Sequence, residues 1–464
     1  MKRSRGRVRL ATAAAVIGAV VIMLSTSVPA QAQDTATTYP PLPQLQTTGA
    51  PTPIPPSDVV LRLPKDMYLH PGAPTEWWWY VGTLHAGNRT FGFEINAASF
   101  IGQGNAFSQI SLTDVKNQQH YQRTTHYMPG TAFNGSTWAQ SNPTKPWTAR
   151  LGSPSKQLSG VQVTNAGTGY THASVSFKGN GTGATGTVTL NSSGGVGEVV
   201  VTNPGTDYTK PPKVVVTGDG TGATATAFNT WVSAQAPASN PTKNMNVKAL
   251  LVDDPTMKQV KYNLTFSQVG KPFWVFGTGV DPNATKVSLT ENNYYYSLTH
   301  LQAKGTITVG GKTYQVHGVT WMDHEYGSFG SSENPIKWIL QDFQLANGWS
   351  ISNAGIVAPG KSPELNVPFA GWATVQSPDG KMYLVASTVT PTGGTWASPQ
   401  SGETYFMNLQ VNIPLFNATI DATSSMPSQE FPGTKGSVYE GVGTAKGTFQ
   451  GSPVTAEAWI EETF

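Results

Sequence analysis

The run Trp321-Met322-Asp323-His324-Glu325-Tyr326 brings two carboxyls, an imidazole, an indole and a phenol together in a chain with only 12% charged residues. In a strand, alternate residues share a side. Trp321, Asp323 and Glu325 then face one way, and Met322, His324 and Tyr326 the other. Two neighbouring carboxyls beside an indole drive one pKa upward, which is the property a general acid needs. The competing reading is a buried polar network in which His324 is hydrogen-bonded and inert.

Three further clusters carry groups of this kind. His70-Pro71 precedes Glu76-Trp77-Trp78-Trp79-Tyr80, where consecutive aromatics give a strand apolar on both faces. Core packing accounts for those tryptophans; Glu76 needs a partner, because an unpaired buried carboxylate is costly. Tyr294-Tyr295-Tyr296-Ser297 is followed by His300, and Gln429-Glu430 by Tyr439-Glu440-Gly441. Tyrosines suit the mouth of a ligand cavity, with an apolar ring and a bonding hydroxyl, and equally suit an ordinary sheet surface. There is no HExxH helix, no GxxxxGK[ST] loop and no GxSxG elbow. With no cysteine and no two of the eight histidines at a metal-ligand spacing, neither a metal nor a cofactor is expected.

The elements that hold these residues read as β-strands. Gly (49) and Pro (34) are abundant, short alternating runs such as Arg89–Asn96 and Lys312–Val319 lie between turn residues, and sustained helical periodicity is nearly absent. The class is all-β. Two internal repeats refine it. VTNAGTGYTHASVSFKGNGTGAT (163–185) recurs as VTNPGTDYTKPPKVVVTGDGTGAT (201–224), marking a small β-module over 156–229. Gly181-x-Gly183-x-x-Gly186 inside it formally matches a dinucleotide fingerprint, but no helix pattern follows, so these are turn glycines. In the second repeat, AKGTITVGGKTYQVHGVTWMDHEY (303–326) is echoed by AKGTFQGSPVTAEAWIEETF (445–464), so Trp321 matches Trp459 and Asp323 matches Glu461; Trp77 stands opposite Trp338. Two tandem antiparallel barrels are expected, over 58–328 (carrying 156–229 as an insertion) and 329–464, since closure removes exposed sheet edges.

Residues 1–32 read as a secretory signal peptide, with five cations before an apolar run from Leu10 to Leu24 and Ala30-Gln31-Ala32 as the cleavage site. Residues 33–57 read as a Pro/Thr-rich linker. Without the leader, Lys+Arg falls from 29 to 24 against 26 acids, so net charge changes from +3 to −2. The expectation is a secreted protein with no membrane span and no nucleic-acid partner.

HP…TEWWWYVGTL…FGFEI, YYYSLTHL…GVTWMDHEYG and QE…VYEGVG, in that order, resemble the carotenoid 1,2-hydratase/AttH-like family of lipocalin-like proteins. The resemblance covers roughly 65–464 outside the insertion, and implies two lipocalin-like barrels. It also implies cofactor-free hydration or cyclisation of an apolar isoprenoid or polyketide. Carried to matching positions, Asp323, His324 and Tyr326 are the catalytic candidates. Glu76, Trp77, Trp78, Tyr295, His300, Trp321 and Glu325 would line or brace the substrate site. Two other functions stay open: a non-catalytic carrier of an apolar ligand, and a scaffold making surface or carbohydrate contacts through 156–229.

Overall fold

The computed structural model describes residues 38–100, 105–127, 138–154, 157–329, 337–358, 361–433 and 436–463. The expected signal peptide lies outside the described residues. Among those described, no helix is long and apolar enough to cross a membrane, and the regular structure is strand apart from short 3-10 turns. The all-β class holds.

The first barrel is an antiparallel meander of ten strands that stops just short of closure. Its spatial order is Gln119–Tyr127, Asn105–Asp114, Arg89–Phe100, Thr75–Ala86, Lys312–Gly327, Asn293–Val309, Gln259–Gln268, Met245–Val252, Trp231–Ala236 and Trp147–Leu151. Strand alternation fills its interior: Trp78, Tyr80, Phe93, Ile95, Tyr296 and Met322 belong to one buried cluster. The second barrel has eight strands from Trp338–Leu345 to Ser452–Glu462. It closes completely, because Ala418–Ser424 pairs with Val438–Phe449 and the last strand pairs with the first.

Both strands that carry the chemistry lie centrally. Thr75–Ala86 pairs with Lys312–Gly327, setting Trp79 opposite Asp323. In the second barrel Trp338–Leu345 pairs with Ser452–Glu462, setting Leu340 opposite Glu461. Trp79 and Leu340 each lie two residues past the matched tryptophans Trp77 and Trp338, so the two pairings share one register. The barrels meet through the outer faces of these strands, where Val81, Trp321, Val442 and Trp459 form a dry cluster. Contact is close: a Cβ on Gly92 would fall 2.4 Å from a Val442 methyl, so only glycine fits there.

Between Trp147–Leu151 and Trp231–Ala236, which pair with each other, the chain makes a four-stranded sheet and a separate two-stranded ribbon. The two repeat copies use one turn. Asn165 and Asn203 each accept the amide of the glycine two residues on at 2.9 Å, with Gly167 and Gly205 at φ 65° and 66°. Gly183 and Gly186 belong to the strand Thr182–Leu190, so a strand stands where a dinucleotide fold needs a helix.

Composition marks 33–57 as a linker, yet residues 38–57 dock onto both barrels. The Tyr39 hydroxyl is 2.9 Å from that of Tyr294, Gln46 bridges to Val385, and Ile54 bridges to Met382. An extended Pro-rich backbone still offers free amides and carbonyls to neighbouring strands.

Candidate active site

Strand alternation splits the predicted site residues into two groups on opposite faces of one sheet. Trp77, Tyr295, Asp323 and Glu325 point away from the first barrel's core into a cavity of about 490 Å³ between the barrels. The opposite wall comes from the second barrel and includes Trp338, Leu340, Glu440 and Glu461. Glu76, Trp78, His324 and Tyr326 point the other way, into the first barrel. The structure therefore does not place His324 or Tyr326 beside Asp323 as a catalytic group, and Glu76 and Trp78 do not line the cavity. The reason is the two-residue period of a strand, which separates adjacent residues across the sheet. Trp321 sits behind the cavity wall and orients Asp323. His300 is half-buried, with Nδ1 3.1 Å from the Thr299 hydroxyl, and is not part of the lining.

The cavity is aromatic and acidic. Trp77 stacks on Phe100 with ring centroids 5.5 Å apart and meets Phe329 edge-on at 5.2 Å; Phe329 in turn meets Trp338. Among the described residues the lining contains five carboxyls, from Asp281, Asp323, Glu325, Glu440 and Glu461, and no lysine, arginine or histidine. Indole N–H groups hold three of them: Trp321 donates to Asp323 at 2.8 Å, Trp459 to Glu440 at 2.8 Å and Trp338 to Glu461 at 3.1 Å. Ser297 also donates to Asp323, at 2.5 Å, and Asn293 donates to Glu325.

Dry surroundings and like charge set the proton affinities. Burial raises Asp323 to about 6, opposed by the Ser297 and Trp321 hydrogen bonds. Burial, then the nearby Asp323 charge, raises Glu461 to about 8, with Trp338 alone opposing. Glu325 and Glu440 are raised well above the ordinary carboxylate range, chiefly by burial and then by neighbouring carboxylates. At neutral pH Glu461 is therefore a carboxylic acid, whereas Asp323 is mostly a carboxylate.

The other face carries a different arrangement. One Glu76 oxygen lies 2.9 Å from His70 Nδ1 and 3.0 Å from His324 Nε2, while the other accepts the His70 amide at 2.9 Å. Glu76 thus has the partners its burial demands. Burial works against the His70 cation, but Glu76 and Asp66 outweigh it and raise His70 to about 9.

Three contributors are not among the candidate site residues. Glu461 was visible as the repeat partner of Asp323, and the shared Trp-x-acid spacing is the signal for it. Glu94 and Asp342, both buried and both with raised pKa, are lone acids within apolar strands and leave no local pattern. The histidine expectation considered spacing along the chain, whereas His70 and His324 meet only through the fold.

The sequence model of the AttH-like family matches residues 197–461. Two solved structures resemble the chain over most of their length. An AttH candidate from Nitrosomonas europaea is 14% identical with a TM-score of 0.52, covering 88% of this chain and 98% of that one. Kievitone hydratase from Nectria haematococca is 12% identical with a TM-score of 0.52, covering 91% of this chain and 98% of that one. At these identities the likeness is one of fold. No curated protein matches the chain. The family match spans more than half of the sequence, and the chain belongs to the AttH-like family.

Proposed function

We propose that this protein is an acid-base enzyme that hydrates, or cyclises across, a carbon–carbon double bond of a bulky apolar molecule of the isoprenoid or polyketide class. The observation that carries the reading is a carboxylic acid, Glu461, held protonated at neutral pH in the wall of a cavity faced by Trp77, Trp338 and Phe329. A neutral acid in a dry site can give a proton to an alkene carbon, and indole faces stabilise the resulting carbocation by cation–π attraction. Water then forms the C–O bond and loses its proton to the Asp323 carboxylate, from which the proton returns to Glu461. A hydroxyl of the same molecule in place of water gives the cyclic product. Asp323, with the lower pKa, is the base in this scheme and Glu461 the acid. One structural relative is named a hydratase, in keeping with this chemistry. Secretion is part of the proposal and rests on the Lys2–Ala32 leader pattern.

The test starts from native mass spectrometry of the purified protein and organic extraction of whatever it retains. The retained alkene, or a panel of polyprenyl and polyketide alkenes, is then incubated in oxygen-labelled and deuterated water. Label in the product with wild type, and its loss in Glu461→Gln with ligand retention preserved, supports the enzyme. Retention without label incorporation in either protein would establish a carrier instead.

A further inference from the structure

We propose that His70, Glu76 and His324 form a binding site for one divalent transition-metal ion of the zinc type, within the first barrel and separate from the inter-barrel cavity. One ring nitrogen of His70, one of His324 and a Glu76 carboxylate oxygen all lie within 4.8 Å of one another. The carboxylate oxygen is 2.9 and 3.0 Å from the two nitrogens. Bonds of ~2.0–2.1 Å to a tetrahedral zinc set its ligands roughly 3.3 Å apart, so small side-chain adjustments would admit an ion.

The fold brings the donors together from distant parts of the chain. Trp78 is opposite His324 and Glu76 is opposite Tyr326, which makes Glu76 and His324 diagonal neighbours on one face of the sheet. His70 comes from the segment before the first strand. Its ring stacks on Tyr326 at 3.5 Å, and the His324 ring stacks on Trp78 at 4.5 Å, so neither imidazole is free to rotate.

A second observation points to a ligand. Metal-bound histidines engage their other ring nitrogen with an oxygen, which fixes tautomer and orientation. His70 Nε2 lies 3.5 Å from the Asp66 carboxylate, and His324 Nδ1 lies 3.2 Å from the Tyr296 hydroxyl. Both outer partners are therefore in place, and both inner nitrogens converge on one carboxylate. The His324 side chain is fully buried and that of Glu76 3% exposed, whereas that of His70 is 15% exposed. An ion would therefore enter from the His70 side, where the three side chains come nearest to solvent. Two imidazoles and a carboxylate suit zinc, and related divalent ions, far better than magnesium or calcium. An ion there would pin the Asp66–Pro71 segment to the barrel.

The experiment uses the full protein without an affinity tag, stripped with a chelator and dialysed against zinc chloride, cobalt chloride or magnesium chloride. The expected result is one equivalent of zinc by elemental analysis, a tetrahedral cobalt spectrum, a melting temperature several degrees higher with zinc, and no response to magnesium. His70→Asn should abolish the uptake. Asp66→Asn, which leaves every ligand intact and is the safer variant for folding, should weaken zinc binding roughly 10-fold or more. Uptake below a tenth of an equivalent by wild type would overturn the proposal and leave a self-contained ion-pair network. Undiminished uptake by folded His70→Asn would overturn it by placing the metal elsewhere.

Discussion

Glu461 and Asp323 face one acidic cavity from opposite walls and differ in the donors that hold them. Asp323 accepts from a hydroxyl and an indole, whereas Glu461 accepts from the Trp338 indole alone. Hydrogen bonds to the ionised form lower a pKa, so the difference in donors helps to split the pair into a base and an acid. Trp338→Phe removes this donor and should move the Glu461 titration above about 8, seen as an upward shift of the alkaline limb of the rate profile or by carboxyl-resolved NMR. Glu461→Gln imitates the neutral acid. Its turnover should be lost, while stability at pH 8 should rise by ~1–3 kcal/mol and at pH 5 stay nearly unchanged, measured by urea unfolding. Equal effects at both pH values would show that burial does not disfavour the charged form at this position.

The strand Thr75–Ala86 serves two compartments at once. Trp78 fills the first barrel against Trp138, Trp147 and His324 and donates its N–H to the Met67 carbonyl, while Trp77 faces the cavity. Trp78→Ala should cost ~3–5 kcal/mol by denaturant unfolding, as a large aromatic is lost from a packed core. Trp77→Ala should act mainly on ligand retention. The inserted module sits in the connection of a hairpin whose strands pair on their own, with Leu151 opposite Val232. Replacing residues 154–228 by a short Gly/Asn turn should leave a cooperative unfolding transition and an unchanged cavity ligand. Collapse of the barrel on that deletion would instead show that the Arg123 guanidinium, 4.0 Å over the Phe228 ring, is an essential tether. Alternation told which residues of 321–326 share a face, and the Trp-x-acid repeat told that two similar units exist. Neither told which face is inward, because both faces are covered: Trp77 and Trp78 are both buried, one by the other barrel and one by its own core. His70 stood in one cluster with Glu76, but its contact with His324 left no pattern, since the fold brings that pair together from distant parts of the chain.

At the scale of the whole molecule, the interface between the barrels gathers raised carboxyls from both halves. Glu440, Glu461 and Asp342 belong to one barrel and Glu94 to the other. Glu462, pointing into the second barrel, is also raised to about 8 by burial. Each folded-state pKa stands above its unfolded value, so each group's contribution is fully present below pH ~4.5 and is lost as pH rises through the folded pKa. The melting temperature should therefore fall by several degrees between pH 5 and pH 8, followed by calorimetry; a rise over that window would contradict the protonated-acid description. The strand period that sets His324 and Tyr326 on the face opposite Asp323 also has a consequence for how such a protein can change over generations. Residues at one parity keep the barrels standing, and residues at the other parity shape the space between them. A lineage can therefore rewrite the cavity wall position by position, and with it the molecule that fits, without disturbing either core. Selection on chemistry and selection on folding then act on interleaved but separate sets of codons, and relatives with few residues in common can keep the same pair of barrels.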